Sequence, residues 1–220
     1  MRSVVALMIG MIALASAAGA QTPASAPASD RGYAEGFAQS AFGNVTSQAF
    51  GGEIGVTVVP NVQVFVEGGV VHNVATPAMG AAAQMIAGFL SQTQANVAYN
   101  VKEPVTFGVI GVKYVVPMTG SKLRPYVMGG GGIAKVEQNA TFTVGGTDIT
   151  SSLASPQYGV QLGTDLSGTF TKPMFVVGGG VMWPVWQHLV VDVQYRYGRI
   201  LAEDGAIDVS RAGLGIGVRF

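Results

Sequence analysis

From Ser210 to Phe220 the chain alternates two kinds of side chain without a break. Ala212, Leu214, Ile216, Val218 and Phe220 fall on one side of an extended strand, and Arg211, Gly213, Gly215, Gly217 and Arg219 on the other, because successive strand residues face opposite ways. One face is oil; the other is glycine and charge. Such a strand belongs at a boundary between an apolar medium and a narrow polar space.

Composition poses the same problem for the whole chain. Of 220 residues, 49% are hydrophobic and only 11% charged, against about 25% charged in ordinary soluble domains, and the mean hydropathy is +0.40. Yet beyond Ala18 no uninterrupted apolar run approaches the roughly 20 residues of a membrane-spanning helix. A membrane β-barrel reconciles the two facts, since each strand crosses with about 9 to 11 residues and half of them can be polar.

Export fits that reading. Residues 1–20 form a signal peptide by pattern: Arg2 supplies the positive start, Val4 to Leu14 the apolar core, and Ala18-Gly19-Ala20 the cleavage site before Gln21. Gln21 to Asp30 is a Pro/Ala/Ser spacer expected to be flexible. The absence of cysteine leaves no residue for a lipid anchor or a disulfide and suits an oxidising periplasm. Zero formal net charge gives no electrostatic case for nucleic acid.

Eight strand-like runs follow, approximately Gly32 to Phe42, Ala49 to Val59, Val62 to His72, Val105 to Val116, Arg124 to Glu137, Met174 to Trp183, Leu189 to Arg199 and Asp208 to Phe220. The links around Pro60-Asn61, Pro117 to Lys122 and Pro184 to His188 are short and turn-forming. The opposite set holds two short loops, near Asn44 to Gln48 and Leu201 to Ile207, and two long ones, 73–104 and 138–173. Short turns on one rim and long loops on the other predict an all-β, eight-stranded antiparallel up-and-down transmembrane barrel with both chain ends in the periplasm. Within the first long loop, Met79, Ala82, Ile86, Phe89 and Leu90 recur at helical spacing over Pro77 to Gln92, predicting a short amphipathic helix packed into the barrel mouth. The stretch from Ala140 to Thr147 predicts a hairpin extending above the membrane.

Two barrels could use the alternation, and they orient it oppositely. A lipocalin-like soluble carrier would turn the apolar face inward; a membrane barrel turns it outward, because Lys or Arg facing lipid at the midplane costs about 2 to 4 kcal/mol. The expected outward set is Ile54, Val56, Val58; Val62, Val64, Val66; Tyr126, Met128, Val136; Phe175, Val177, Trp183; Leu189, Val191, Val193, Tyr195; and the terminal residues above. The opposite face carries Glu53, Glu67, Lys135, Glu137, Asp192, Arg196, Arg211 and Arg219, with glycines at 51, 55, 69, 129, 131, 178, 180, 213, 215 and 217. Strand glycine packs nothing against solvent but fits the inside of a narrow barrel, so the glycine face is placed inward. Strands one and four are mixed: Glu35 shares a face with Tyr33 and Phe37, and Lys113 with Phe107 and Val109, of which Lys113 is placed inward and Tyr114 outward. Tyr114, Tyr126, Trp183, Trp186 and Phe220 fall near the periplasmic ends, and Tyr195 and Tyr197 near the other rim, as interfacial girdles would.

These features together resemble the small outer-membrane proteins of the OmpA/OmpX-type eight-stranded barrel class, the outer-membrane β-barrel domain group. The resemblance implies residence in the outer membrane of a Gram-negative-type envelope, contact with outer-membrane lipid and a possible extracellular ligand at the long loops. It also implies that Gly213, Ile216, Val218 and Phe220 belong to the C-terminal signal read by the barrel assembly machinery. Larger relatives carry a peptidoglycan-binding domain after the barrel; this chain stops at Phe220, so tethering through such a domain is not expected.

Chemistry is expected to be sparse. Glu53, Glu67, Asp192, Arg196 and Arg211 would meet across the lumen as a charged plug, which the resemblance likens to the ion-pair gates of that class, although satisfied lumen filling is favoured over a conductance gate; either gives a structural or surface-interaction role. A small porin-like channel for ions or hydrophobic molecules is the alternative. A lipid-modifying enzyme is less favoured: only His72 and His188 exist, and His72 is followed by Asn73-Val74 rather than the His-x-Ser of the outer-membrane deacylases. No phosphate-binding, dinucleotide or metal-ligand spacing is present, so no cofactor and no catalytic residue is expected.

Overall fold

Alternation organises the whole computed structural model, which describes residues 31–202 and 205–220; the signal peptide and spacer lie outside the described residues. Eight strands pair antiparallel with sequence neighbours: β1 (Gly32–Gly43), β2 (Ser47–Val59), β3 (Val62–Val71), β5 (Val105–Val115), β6 (Arg124–Val144), β8 (Ser167–Pro184), β9 (Leu189–Ile200) and β10 (Ile207–Arg219). The ring closes where β10 pairs with β1. At that seam Gly32 N–H donates to Phe220 O at 2.8 Å and Phe220 N–H to Gly32 O at 2.9 Å. The two-residue turn at Pro60-Asn61, with Asn61 in the left-handed region at φ 66°, pairs Val59 with Val62, and a one-residue register shift between Thr57 and Val59 then places Glu53 opposite Glu67.

Outward positions are open along the wall, among them Ile54, Val66, Ile110, Ile133, Val193, Leu214 and Ile216. Inward, large rings and glycines occupy opposite sides of the same cross-strand pairs. Tyr33 lies opposite Gly55 and Phe37 opposite Gly51; Phe65 lies opposite Gly111 and Phe107 opposite Gly69; Tyr126 lies opposite Gly180. A narrow barrel has room for a ring only where its partner has no side chain: a Cβ on Gly111 would sit 2.6 Å from Phe65 Cζ, and one on Gly180 2.7 Å from the Tyr126 hydroxyl.

Strand β6 reverses the expected phase. Tyr126, Met128 and Val136 are buried inside, with Gly130 and Gly132 on the same face, whereas Val127, Gly129, Gly131, Ile133, Lys135 and Glu137 face out. Lys135 and Glu137 escape the cost of facing hydrocarbon because they lie toward the loop end of a strand that runs on to Val144, where they pair at 2.7 Å. The interior is also layered rather than uniformly polar: Val71, Val74, Val105, Val136, Ile200 and Ile207 belong to an apolar cluster filling its loop end.

The long loops fold into a second layer. Helix α1 (Pro77–Leu90) begins at Thr76, whose side chain accepts from Met79 N–H at 3.3 Å, with Pro77 in the first turn. Strand β4 (Val97–Lys102) pairs with the extension of β6, which turns at Gly145 and Gly146 (φ 58° and 83°) into β7 (Thr147–Asp148). The helix packs on β4 and the second loop: Met79, Ala83, Ala87 and Leu90 meet Phe142, Ile149, Leu153 and Leu166 in a cluster separate from the lumen's. Phe89, expected on the packed stripe, is exposed instead, as is Met85. A helix without a single charge gives its sequence no polar face to choose by.

Candidate functional site: a charged crossbar in the lumen

Register builds the site. Glu35, Glu53 and Glu67 stand side by side on β1, β2 and β3, and Arg196 stands opposite Arg211 on β9 and β10. Three carboxylates in a row repel unless cations reach them. Arg196 does so: its Nη2 lies 2.8 Å from Glu53 Oε2 and 3.5 Å from Glu35 Oε1, and its Nη1 pairs with Glu67. Arg211 Nη1 donates to Glu67 Oε1 at 3.0 Å and to Gln39 Oε1 at 3.3 Å. Lys113 Nζ meets Glu53 Oε1 at 2.5 Å, and the Tyr33 hydroxyl donates to the same carboxylate.

Rings complete the cage. Lys113 Nζ lies 4.5 Å above the Tyr33 ring and 4.4 Å above the Tyr126 ring, and the Arg211 guanidinium 4.4 Å from the Phe107 centroid. The side chains of Lys113, Arg196, Glu53 and Glu67 have 0% solvent exposure. Desolvating so many charges is costly, so the network is better understood as specifying one arrangement than as a net source of stability.

Among the five charged residues expected in the lumen, the structure joins Glu53, Glu67, Arg196 and Arg211. Asp192 stands aside: it accepts from the Tyr126 hydroxyl at 2.6 Å and, among the described residues, forms no ion pair. Sequence reasoning did not include Glu35, Gln39, Tyr33 or Lys113 in the network. The signal was the unbroken alternation of Tyr33, Glu35, Phe37, Gln39 and Ala41, all of which are buried. Among the aromatics expected at the interfaces, Tyr114, Trp183 and Trp186 are exposed at the short-turn end. Tyr195 and Tyr197 lie toward the loops, where the Tyr197 hydroxyl donates to Asp208 at 2.7 Å. Tyr126 is a correction: its hydroxyl requires a partner and finds Asp192 inside. Ile216, Val218 and Phe220 face outward, while Gly213 lies inward against the Gln39 backbone.

One carboxylate belongs to the loop layer. Glu103 is buried, accepts from Thr76 N–H at 3.2 Å and from Gln138 Nε2 at 3.4 Å, and donates its own N–H to Asn73 Oδ1 at 2.9 Å. Burial pushes its carboxyl above the usual range, against the two hydrogen bonds. A folded-state pKa above the unfolded one favours the folded loop at low pH and loses that contribution as pH rises through the raised value. Glu103→Gln is therefore expected to flatten the pH dependence of loop protection, measured as proteolysis of the first long loop from acid to neutral pH; an unchanged profile would exclude Glu103 as its source.

Among the described residues no group of three or more His, Asp or Glu is placed to hold a metal. The profile of the outer membrane protein beta-barrel domain matches residues 5–220. No curated protein matches the sequence. Among solved structures, Neisserial surface protein A is 15% identical, with 86% of this chain and 97% of that chain covered and a TM-score of 0.51. A major outer membrane protein from Thermus thermophilus is 9% identical, with 86% and 99% covered and a TM-score of 0.52. At such identities the likeness speaks for the fold alone.

Proposed function

The chain belongs to the outer membrane protein beta-barrel domain family, and from that premise we propose that it is a closed barrel, a structural scaffold with a plugged lumen whose folded loops meet partners at the cell surface. It resides in the outer membrane of a Gram-negative-type envelope, crossing the lipid with eight antiparallel strands.

The observation that carries the plug is the reach of Arg196. From β9 it bridges to Glu53 on β2 and Glu67 on β3, and β3 stands four strands from β9 either way round the ring of eight. One wholly buried side chain thus spans the lumen. In planar bilayers the wild type is expected to give no ion-sized conductance steps, and Arg211→Ala, which removes one bond to Glu67, to give measurable openings. Steady conductance by the wild type would sink the plug and favour a small channel; silence from both would leave the network as lumen filling without a gating role.

The same reading is non-enzymatic. The two histidines serve opposite rims: His72 stacks edge-on against Phe50 at 5.7 Å, and His188 Nδ1 lies 3.0 Å from Arg219 O. Any extracellular ligand would meet the loop layer, where exposed Met85 and Phe89 on an uncharged helix support an apolar contact. The outward stripe of Ile216, Val218 and Phe220 is the surface we assign to the assembly machinery.

A further inference from the structure

The folded long loops leave one strand edge without a neighbour. Strand β4 continues the ladder that β5 makes with β6, since Val105 lies opposite Val136 and Lys102 opposite Asn139 in one unbroken register. On its other side β5 is flanked by β3, but β3 ends at Val71, opposite Val105. Beyond that point the chain turns away through residues 72–76 into helix α1. The place beside β4 that a longer β3 would take is filled by no strand, and β4 pairs with β6 alone.

Two bonds fix which backbone groups face that gap. Gly145 N–H donates to Asn96 O at 3.1 Å and Glu137 N–H to Pro104 O at 3.0 Å, so the even-numbered residues of this strand bond to β6. The odd-numbered ones point the other way, because alternate residues of an antiparallel strand bond to opposite sides. Glu103 is already served there: its O accepts from Val74 N–H at 2.9 Å, and its N–H donates to Asn73 Oδ1 at 2.9 Å. Val97, Tyr99 and Val101 are not; among the described residues no hydrogen bond from another segment reaches their backbone groups. Proline, a bulge or inward charge would close such an edge, yet β4 has no proline, keeps its register, and carries its one charge, Lys102, at the end nearest the barrel. Helix α1 lies along the strand. It begins with Thr76 N–H on Glu103 and leads back through residues 91–96 into Val97, so the two run antiparallel, and exposed Met85 and Phe89 stand toward the Val97–Tyr99 end.

We propose that β4 takes an extended segment of a partner polypeptide as an added strand, its backbone bonding to Val97, Tyr99 and Val101 and its alternate apolar side chains lying against Tyr99, Met85 and Phe89. With the loop layer as the contact surface, on which this assignment rests, the partner's chemistry is now specified. Unpaired amides and carbonyls at strand spacing select another backbone over a lipid or a sugar. A second copy fits less well: an edge about 20 Å long buries far less than the roughly 1,200 Å² of a stable pair of folded chains, whereas a flexible segment also covers the helix. Lys102 favours a segment with an acidic residue, rather than a basic one, at that end.

The test uses the mature protein folded in non-ionic detergent and a fluorescein-labelled peptide copying residues 138–145, QNATFTVG, which contain the strand that β4 accepts on its other side. Anisotropy is expected to show saturable binding to the wild type. N-methylation of the four central amides of the peptide, which removes donors from both its edges and keeps every side chain, should weaken binding at least about tenfold, the equivalent of one or two net hydrogen bonds. Tyr99→Pro removes an amide that faces away from β6, so it spares that ladder and should weaken the plain peptide as much. Met85→Ser with Phe89→Ser should weaken it less and keep the discrimination between the two peptides; heat-modifiable gel mobility and protease resistance of the first long loop report that each variant is folded. No saturable binding by the wild type, equal binding of the plain and methylated peptides, or undiminished binding by folded Tyr99→Pro overturns the proposal. Equal binding of both peptides that is lost from the Met85/Phe89 variant would keep the apolar contact surface while removing the edge, so the two readings fail separately. Wild-type dimers in sedimentation that are absent from Tyr99→Pro would overturn it in favour of a second copy.

Discussion

Arg196→Ala is expected to lower the stability of the folded barrel by about 3 to 5 kcal/mol, the range for removing one partner of a buried ion pair. The loss comes from what remains. Glu53 keeps Lys113 and Glu67 keeps Arg211, but Glu35 loses the arginine 3.5 Å away, and three adjacent carboxylates are left with two cations, all buried. Urea titration in micelles, read by the heat-modifiable gel shift, measures the change. A companion variant separates charge imbalance from lost volume: Arg196→Met combined with Glu35→Gln should recover most of the deficit, because Glu53 and Glu67 then face Lys113 and Arg211 one to one in a lumen of similar volume. A loss below about 1 kcal/mol for Arg196→Ala would mean that water reaches the network and the crossbar is not dry.

Gly111→Ala is expected to cost as much as or more than the roughly 1 to 3 kcal/mol typical of an overpacked core, while Gly108→Ala three residues away on the same strand should be neutral or slightly stabilising. A Cβ at 111 would lie 2.6 Å from Phe65 Cζ and closer still to the Gly129 carbonyl, whereas nothing lies within 4 Å of one at 108. Gly108 faces out of the barrel, where a methyl group also relieves the weakness of glycine in a strand. Because a backbone carbonyl cannot swing aside as a ring can, Phe65→Leu should relieve only part of the cost of Gly111→Ala. Equal stabilities for Gly108→Ala and Gly111→Ala would show that the interior is loose at this layer.

Much of this architecture is legible in the sequence for local reasons. Hairpin turns such as Pro60-Asn61 fix register between neighbours to within a bulge: counting back from the turn puts Glu53 opposite Gly68, and the irregularity between Thr57 and Val59 moves it to Glu67. Phase is legible where a strand carries mixed side chains, and it fails where it does not. In β6 the run Gly129 to Gly132 offers no side chain to mark a face, and the charges of Lys135 and Glu137 lie beyond the span in which charge is diagnostic. A tyrosine near a strand end reads as a girdle residue until its hydroxyl partner is known, and Asp192 lies too far along the chain to announce itself to Tyr126. The same holds for the crossbar: the carboxylate row is a local fact, but its closure by Arg196 depends on the ring's diameter, which no single strand encodes. Helix α1 is visible in its spacing, yet which of its sides is covered is not, since both are apolar.

The seam between the first and last strands has a consequence for how damaged copies fare. The first strand pairs with β10 from Tyr33–Arg219 to Gly43–Val209, so the cylinder is sealed only once β10 has been delivered. A copy that lacks β10 is therefore not a slightly weaker cylinder but an open ribbon with a frayed lip, β1 and β9 offering unpaired amides to any passing strand. Quality control in the envelope would meet it as a sticky, protease-sensitive intermediate rather than as a finished product.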